Sequence, residues 1–305
     1  MKILSALLFT CLSSGLLAAS ASSLESGLLY APEIRPNYHA QEFSPDGRYF
    51  IINDDTDLLA YELAGLKVSK FKLSEEDLKR GLRNYGSFFK KRDSEDIYDV
   101  QLLLTHQFST LEDGDWTAHK EVIERILSLS ELQPIGVDKK LAKEDLPIDK
   151  ADCPYTVSLE GQILTIEYKQ DPSFKKSLDL GRALNLEKWK TCTQNPRFFY
   201  LVSPSSGEIH VIDAEKEKPT VVSVKERNFL EAPKQFRSLF RNQNMGVIVP
   251  RWADVSPDGK MLIIGMVSVI ILPPDASPEQ AKELKEIEGE KLVLEFIPME
   301  PSVEN

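Results

Sequence analysis

Two short segments most constrain how this chain can fold. Phe43-Ser44-Pro45-Asp46-Gly47-Arg48 runs into Tyr49-Phe50-Ile51-Ile52, and Val255-Ser256-Pro257-Asp258-Gly259-Lys260 runs into Met261-Leu262-Ile263-Ile264. Proline presets φ at the first central position of a type I turn, aspartate tolerates the second, and glycine supplies the left-handed exit into the partner strand. Ser44, Pro45, Asp46 and Gly47 therefore form one structural turn, and Ser256, Pro257, Asp258 and Gly259 form its equivalent. Two weaker copies follow the same grammar: Val157-Ser158-Leu159-Glu160-Gly161-Gln162 before residues 163–166, and Val202-Ser203-Pro204-Ser205-Ser206-Gly207 before residues 208–213.

Ser158, Ser203 and Ser256 stand 45 and 53 residues apart, which suits four-stranded propeller blades of roughly 40–50 residues. The 114-residue step from Ser44 to Ser158 breaks that period, and the excess falls in residues 73–133. There Ser74 is placed to cap a helix through Leu78, Leu82 and Tyr85, and Asp115 to cap another through Ala118, Val122, Ile126 and Leu129. Between them Tyr98, Val100, Leu102 and Leu104 alternate as in a strand, with the helical phase also open. Ser277-Pro278-Glu279-Gln280 starts a helix that ends near Gly289, and residues 291–297 follow as a strand. The expected fold is mainly β: a degenerate propeller-like array of about five or six blades with an inserted helical segment. A β-sandwich or an α+β fold is the alternative. In chain order the expectation is a signal peptide (1–21), a first β blade region (22–72), the helical insertion (73–133), the remaining blades (134–297) and a flexible tail (298–305).

The two Ser-Pro-Asp-Gly segments resemble the blade hairpins of Tol-type and other WD-like β-propellers, and Ser206-Gly207-Glu208-Ile209-His210-Val211-Ile212-Asp213 looks like a hairpin of a related propeller class. The resemblance implies a periplasmic binding or scaffolding module. It transfers no catalytic residue, because the matching positions are turn-formers.

Met1-Lys2, an apolar run over residues 3–17 and Ala19-Ser20-Ala21 follow the order of a secretory leader, with the mature chain beginning at Ser22. Cys11 follows Leu8-Phe9-Thr10, a poor lipid-attachment sequence. No later segment approaches the roughly 20 apolar residues of a membrane-spanning helix. The net charge of −11 disfavours nucleic acid and anionic lipid as partners, since both need a basic footprint. The expected location is periplasmic or secreted, and the expected partner is a protein or cell-envelope component. Cys153 and Cys192, the two cysteines beyond the leader, are expected to form a disulfide; closing a loop of about 40 residues stabilises by roughly 4 kcal/mol. Two separate buried thiols are the alternative.

No residue earns a catalytic, cofactor-binding or metal-ligating assignment, and no cofactor is expected. His39, His106, His119 and His210 lack the three- or four-residue spacing of a helical metal pair. His210 reads as a packed strand residue and His119 as part of a solvated helix face. Asp54-Asp55-Thr56-Asp57 and Glu112-Asp113-Gly114-Asp115 could hold a hard cation, but lack the register of a dedicated calcium loop. Trp116, Trp189 and Trp252 could line a ligand site, although packing in the core is the commoner role. No nucleophile elbow or phosphate loop is present. The sequence thus favours a non-catalytic binding or scaffold module; the alternative is an envelope hydrolase or other enzyme using carboxylates as general acid and base in a central pocket.

Overall fold

The computed structural model describes residues 27–31, 34, 40–92, 97–112, 115–146, 154–179, 188–203, 208–214, 227–228, 246–270, 277–279 and 291–299. The leader, Cys153 and residues 280–290 lie outside the described residues; Pro278 and Glu279, just after the expected cap Ser277, are helical.

The chain is mainly β and forms small antiparallel sheets in sequence order. Sheet 1 contains β2 (Ala40–Phe43), β3 (Tyr49–Asn53), β4 (Asp57–Glu62) and β5 (Lys67–Lys72). Sheet 2 follows a short helix, α1 (Glu75–Lys79), and contains β6 (Leu82–Lys91), β7 (Tyr98–Glu112), β8 (Asp115–Ser128) and β9 (Lys139–Leu141). Sheet 3 has β10 (Tyr155–Glu160), β11 (Ile163–Tyr168) and β12 (Asp171–Asp179), and sheet 4 has β13 (Lys188–Cys192), β14 (Phe198–Ser203) and β15 (Glu208–Asp213). Sheet 5 joins β16 (Arg227–Asn228), β17 (Gly246–Val255), β18 (Met261–Ile270) and β19 (Lys291–Pro298) to β1 (Gly27–Ala31), so an early strand completes the last sheet. This is a propeller-like array.

The apolar runs after the turns are buried on both faces, which is why they do not alternate with polar residues. Phe50, Ile52, Leu59 and Tyr61 pack with Trp252, Ile263 and Phe296 between sheets 1 and 5. Ile51, Leu58 and Ala60 face the other way, onto Leu82, Val100, Leu102 and Leu127 of sheet 2. Leu262 and Ile264 meet Phe198, Ile209 and Val211 of sheet 4, whose Phe199, Leu201 and Ile212 meet Leu164, Ile166 and Leu178 of sheet 3. Each buried Val, Leu, Ile or Phe among them stabilises by about 1.5–3 kcal/mol relative to exposure. Among the described residues no hydrophobic cluster joins sheet 2 to sheet 3.

The helical insertion expected over residues 73–133 is instead mostly sheet. Ser74 does cap a helix, with a reciprocal Ser74–Asp77 capping box, but that helix stops at Lys79. Gly81, at φ +77°, leaves it in the left-handed conformation that ends helices. Residues 115–128 form β8, paired with β7 over fourteen residue pairs. Ile123 and Leu127 pack on the face toward sheet 1, while Val122 and Ile126 alternate onto the other face. An apolar run serving both faces mimics helical spacing.

The weaker turn copies are not equivalents of the Ser-Pro-Asp-Gly turns. Gly161 and Gln162 form a two-residue loop between the paired Glu160 and Ile163. The segment after Ser203 joins β14 to β15, the second and third strands of its sheet, and residues 204–207 lie outside the described residues.

Candidate functional site

Four strand connections, in sheets 1, 2, 4 and 5, share one backbone hydrogen bond; residues 93–96 of the second lie outside the described residues. In each, an N–H donates to the carbonyl five residues ahead: Ser44 to Tyr49 (2.9 Å), Arg92 to Ile97 (3.0 Å), Thr193 to Phe198 (3.0 Å) and Ser256 to Met261 (2.9 Å). In both Ser-Pro-Asp-Gly copies the serine Oγ donates to the aspartate Oδ1 at 2.6 Å and accepts the N–H of Tyr49 or Met261 at 2.9 Å. The next strand then returns in one register: Leu63, Ala214 and Met299 donate their N–H groups to the carbonyls of Arg48, Arg197 and Lys260. Sequence reasoning missed the turn at residues 193–198 and the matching bond between Arg92 and Ile97. Asn195 was a usable signal, because its Oδ1 accepts the Arg197 N–H at 3.1 Å as Asp46 and Asp258 accept those of Arg48 and Lys260.

Three of these turns interlock. Gln194 donates its N–H to Asp254 Oδ1 (2.6 Å), while its side-chain amide accepts the Phe43 N–H (2.6 Å) and donates to the Phe43 carbonyl (2.7 Å), tying sheets 4, 5 and 1 at one point. Asn195 Nδ2 donates to the carbonyls of Ser256 and Pro257 at 3.3 and 3.1 Å. The Asp258 carboxylate lies over Gly47, where a Cβ would stand 2.9 Å from Asp258 Cγ. Gly47 and Gly259 both have positive φ, +69° and +72°, but a Cβ at Gly259 comes no nearer than 3.6 Å to Asn195. Gly47→Val is therefore expected to cost about 2–3 kcal/mol and Gly259→Val about 1–2, the scale of backbone strain with and without a displaced neighbour. Urea denaturation of the two variants checks the order, and a larger loss at Gly259 contradicts it.

At the edge of this turn face, sheets 1 and 2 enclose a cleft of about 350 Å³ lined by Arg48, Tyr49, Arg92, Ile97, Tyr98 and Asp99, with residues 128–130 closing it. Arg92 grips Asp99 with two nitrogens, at 2.6 and 3.2 Å. Arg48 instead donates its Nε to Asp46 Oδ2 at 2.6 Å. Burial opposes the charged form of Asp46, but hydrogen bonds from Ser44 and Arg48 outweigh it and hold the carboxyl below its ordinary range. Burial pushes the Tyr49 phenol up.

The second notable feature is a ribbon. β6 pairs with β7 only as far as His106, and β9 reaches only to Val122 of β8. Beyond those points the β7–β8 hairpin continues alone to Glu112 and Asp115. On one face Phe108 stacks with His106 and His119, at centroid distances of 4.9 and 5.0 Å, and Thr110 Oγ1 meets His119 Nε2 at 2.6 Å. On the other face the paired Leu111 and Trp116 are 60 % and 74 % exposed. A cleft of about 480 Å³ at the ribbon's foot includes Tyr85, Lys120, Glu121 and Lys140. There Lys120 Nζ sits 4.5 Å from the Tyr85 ring centre and Lys140 binds Glu121.

The other sequence candidates have local roles. Asp54 accepts the N–H groups of Thr56 and Asp57 at 2.8 and 2.9 Å, so it organises the β3–β4 turn. Asp113 and Gly114 of the second acidic cluster lie outside the described residues, as does His39. His210 is buried in β15, and His119 lies on a strand rather than on the expected helix. Trp252 is in the core, Trp116 is exposed, and Trp189 lies in β13. Among the described residues no three of His, Cys, Asp and Glu gather in a metal-holding group, and no helix is long and apolar enough to cross a membrane.

No protein-family model matches the chain, and no curated protein matches it. Among solved structures it is similar to a chain of the mitotic checkpoint complex, with a TM-score of 0.27 and 10 % identity over 98 % of this chain and 99 % of that one. It is also similar to Hsv2 of Kluyveromyces marxianus (TM-score 0.27, 8 % identity, 77 % of each chain) and of Kluyveromyces lactis (TM-score 0.24, 10 % identity, 80 % and 75 %). The fold described above rests on its own strand pairing, not on these loose likenesses.

Proposed function

We propose that this chain is an exported, non-catalytic binding or scaffold module of the periplasm or cell envelope, related in its hairpins to Tol-type propellers. Its partner is a protein or envelope component. The exposed Leu111–Trp116 pair carries the reading. A tryptophan 74 % open to solvent at the end of a projecting ribbon contributes little to the fold, whereas aromatic anchors ringed by polar surface are the usual centres of protein interfaces. Wild-type and Leu111→Ser/Trp116→Ser chains, immobilised and exposed to envelope extract, test it. A protein held by the wild type and reduced about tenfold or more by the double variant is expected, the scale of losing one anchor. Equal retention overturns the reading.

Export supplies two further expectations. The mature chain should begin at Ser22, which N-terminal sequencing of the exported protein decides; a membrane-bound product retaining Met1 contradicts it. Cys153 and Cys192 should be joined, and thiol counting on the denatured, unreduced protein should find neither reactive.

A further inference from the structure

We propose that the cleft between sheets 1 and 2 is a carboxylate-recognition site, with Arg48 as its anchor. The Ser-Pro-Asp-Gly-Arg turn does two jobs here. Ser44 Oγ fixes Asp46, and Asp46 in turn accepts both the backbone N–H and the side-chain Nε of Arg48. The guanidinium is thereby held by one corner, and its two terminal nitrogens have no hydrogen-bond partner among the described residues. The equivalent cations in the other turns are committed differently. Arg197 is closed bidentately on the buried Asp213, at 2.8 and 2.6 Å, and Lys260 meets Asp258.

The end-on edge of an arginine, with its two parallel N–H bonds, matches the two oxygens of a carboxylate. Because Nε is already anchored, less side-chain freedom is lost on binding. Tyr49 and Tyr98 line the same cleft, and neither phenol hydrogen-bonds to a described residue, so both can donate to the bound oxygens. Ile97, 43 % exposed, offers an apolar wall. Arg92 is paired with Asp99 and Arg48, through Nε, with Asp46, so the two cations are balanced and the unpaired terminal edge of Arg48 supplies the positive face. That balance suits a monoanion beside an apolar side chain, as in a peptide, better than a dianionic phosphate. The carboxylate can belong to an acidic side chain or to a chain terminus. This cleft is separate from the Leu111–Trp116 ribbon, so either assignment can fail while the other stands.

The test is a titration of the full mature chain, followed by NMR of the arginine Nε–H and tyrosine ring signals. Four probes are used: acetyl-leucyl-glutamate α-amide, acetyl-leucyl-leucine free acid, acetyl-leucyl-glutamine amide and inorganic phosphate. The expected result is a saturable shift of the Arg48, Tyr49 and Tyr98 signals with one or both carboxylate peptides, and the two arms tell side chain from terminus. Arg48→Gln should weaken that binding about tenfold or more, and Arg48→Lys, which keeps the charge without the fork, should fall between. Arg48 is a surface side chain, and an unchanged dispersed spectrum of each variant confirms the fold. The inference is overturned if the glutamine amide shifts the same signals equally, if phosphate binds more tightly than both carboxylates, if no probe saturates, or if Arg48→Gln binds like wild type.

Discussion

Gly265→Ala is expected to destabilise the protein by about 3–4 kcal/mol, more than any other single methyl addition at a described glycine. Gly265 in β18 is paired directly with Trp252 in β17, and the indole lies across it. A Cβ there would stand 2.0 Å from Trp252 Cε2, 2.3 Å from Nε1 and 2.4 Å from Cζ2. The indole cannot simply retreat. It is buried between sheets 1 and 5 and stacks on Phe50 at 6.2 Å, while Phe50 also touches Phe43, Tyr61 and Phe296. Moving the ring by the more than 1 Å needed for ordinary contact therefore disturbs the whole aromatic cluster that joins these sheets. Urea denaturation measures the loss, and at this chain length the melting temperature should fall by about 5–7 °C. In a Trp252→Leu background the added methyl should cost at least about 2 kcal/mol less, because the collision is gone. A loss below about 1 kcal/mol in the wild-type background, or equal losses in both backgrounds, contradicts this account.

How much of this was legible depends on what carries the information at each place. The Ser-Pro-Asp-Gly turns were readable because each residue type meets a separate backbone demand, and both copies have the same serine–aspartate hydrogen bonds. The Ser74 cap was readable for the same reason. The turn at residues 193–198 and the Arg92–Ile97 bond were not, since their likeness lies in a backbone hydrogen bond that any residue can make. β8 was misread because local spacing was weighed without its partner. Fourteen pairs with β7 decide its conformation, and side chains needed on both faces erase the alternation that marks a half-buried strand. The cleft was half legible. Arg48 belongs to the motif, but Arg92, Tyr98 and Asp99 reach it only through the packing of sheet 2 on sheet 1. The Leu111–Trp116 ribbon was hidden by the same helical misreading, which put Trp116 at a helix start.

Arg125→Met is expected to cost about 3–5 kcal/mol and to remove a specific acid-sensitive step from the stability profile. Arg125 on β8 gives Nη1 and Nη2 to the two oxygens of Asp77, both at 2.9 Å, and Nε and Nη2 to Asp138 at 2.9 and 2.8 Å. Asp77 also closes the α1 capping box with Ser74. One guanidinium thus ties the helix, the sheet and the loop after β8 together, with side chains of Arg125 and Asp77 only 11 % and 9 % exposed. Methionine retains the apolar stem but leaves two carboxylates without their cation, one of them buried, and that is the costly half of breaking such a pair. The hydrogen bonds from Arg125, opposed by burial and helped by Ser74, hold the Asp77 carboxyl at about 2, against 3.8 for an ordinary aspartate. A folded-state value below the unfolded one means the native chain binds its proton less readily. The stabilisation is therefore complete above pH 3.8 or so and is lost as the pH falls through about 2. Denaturation at successive pH values between 5 and 2 should show the wild type losing its advantage over Arg125→Met across that window, with the two curves converging at its acid end. Asp77→Asn should cost less than Arg125→Met at pH 7, since the amide keeps the helix cap and strands no buried anion. Parallel wild-type and Arg125→Met curves down to pH 2 would show that the Arg125–Asp77 pair contributes nothing dependent on charge.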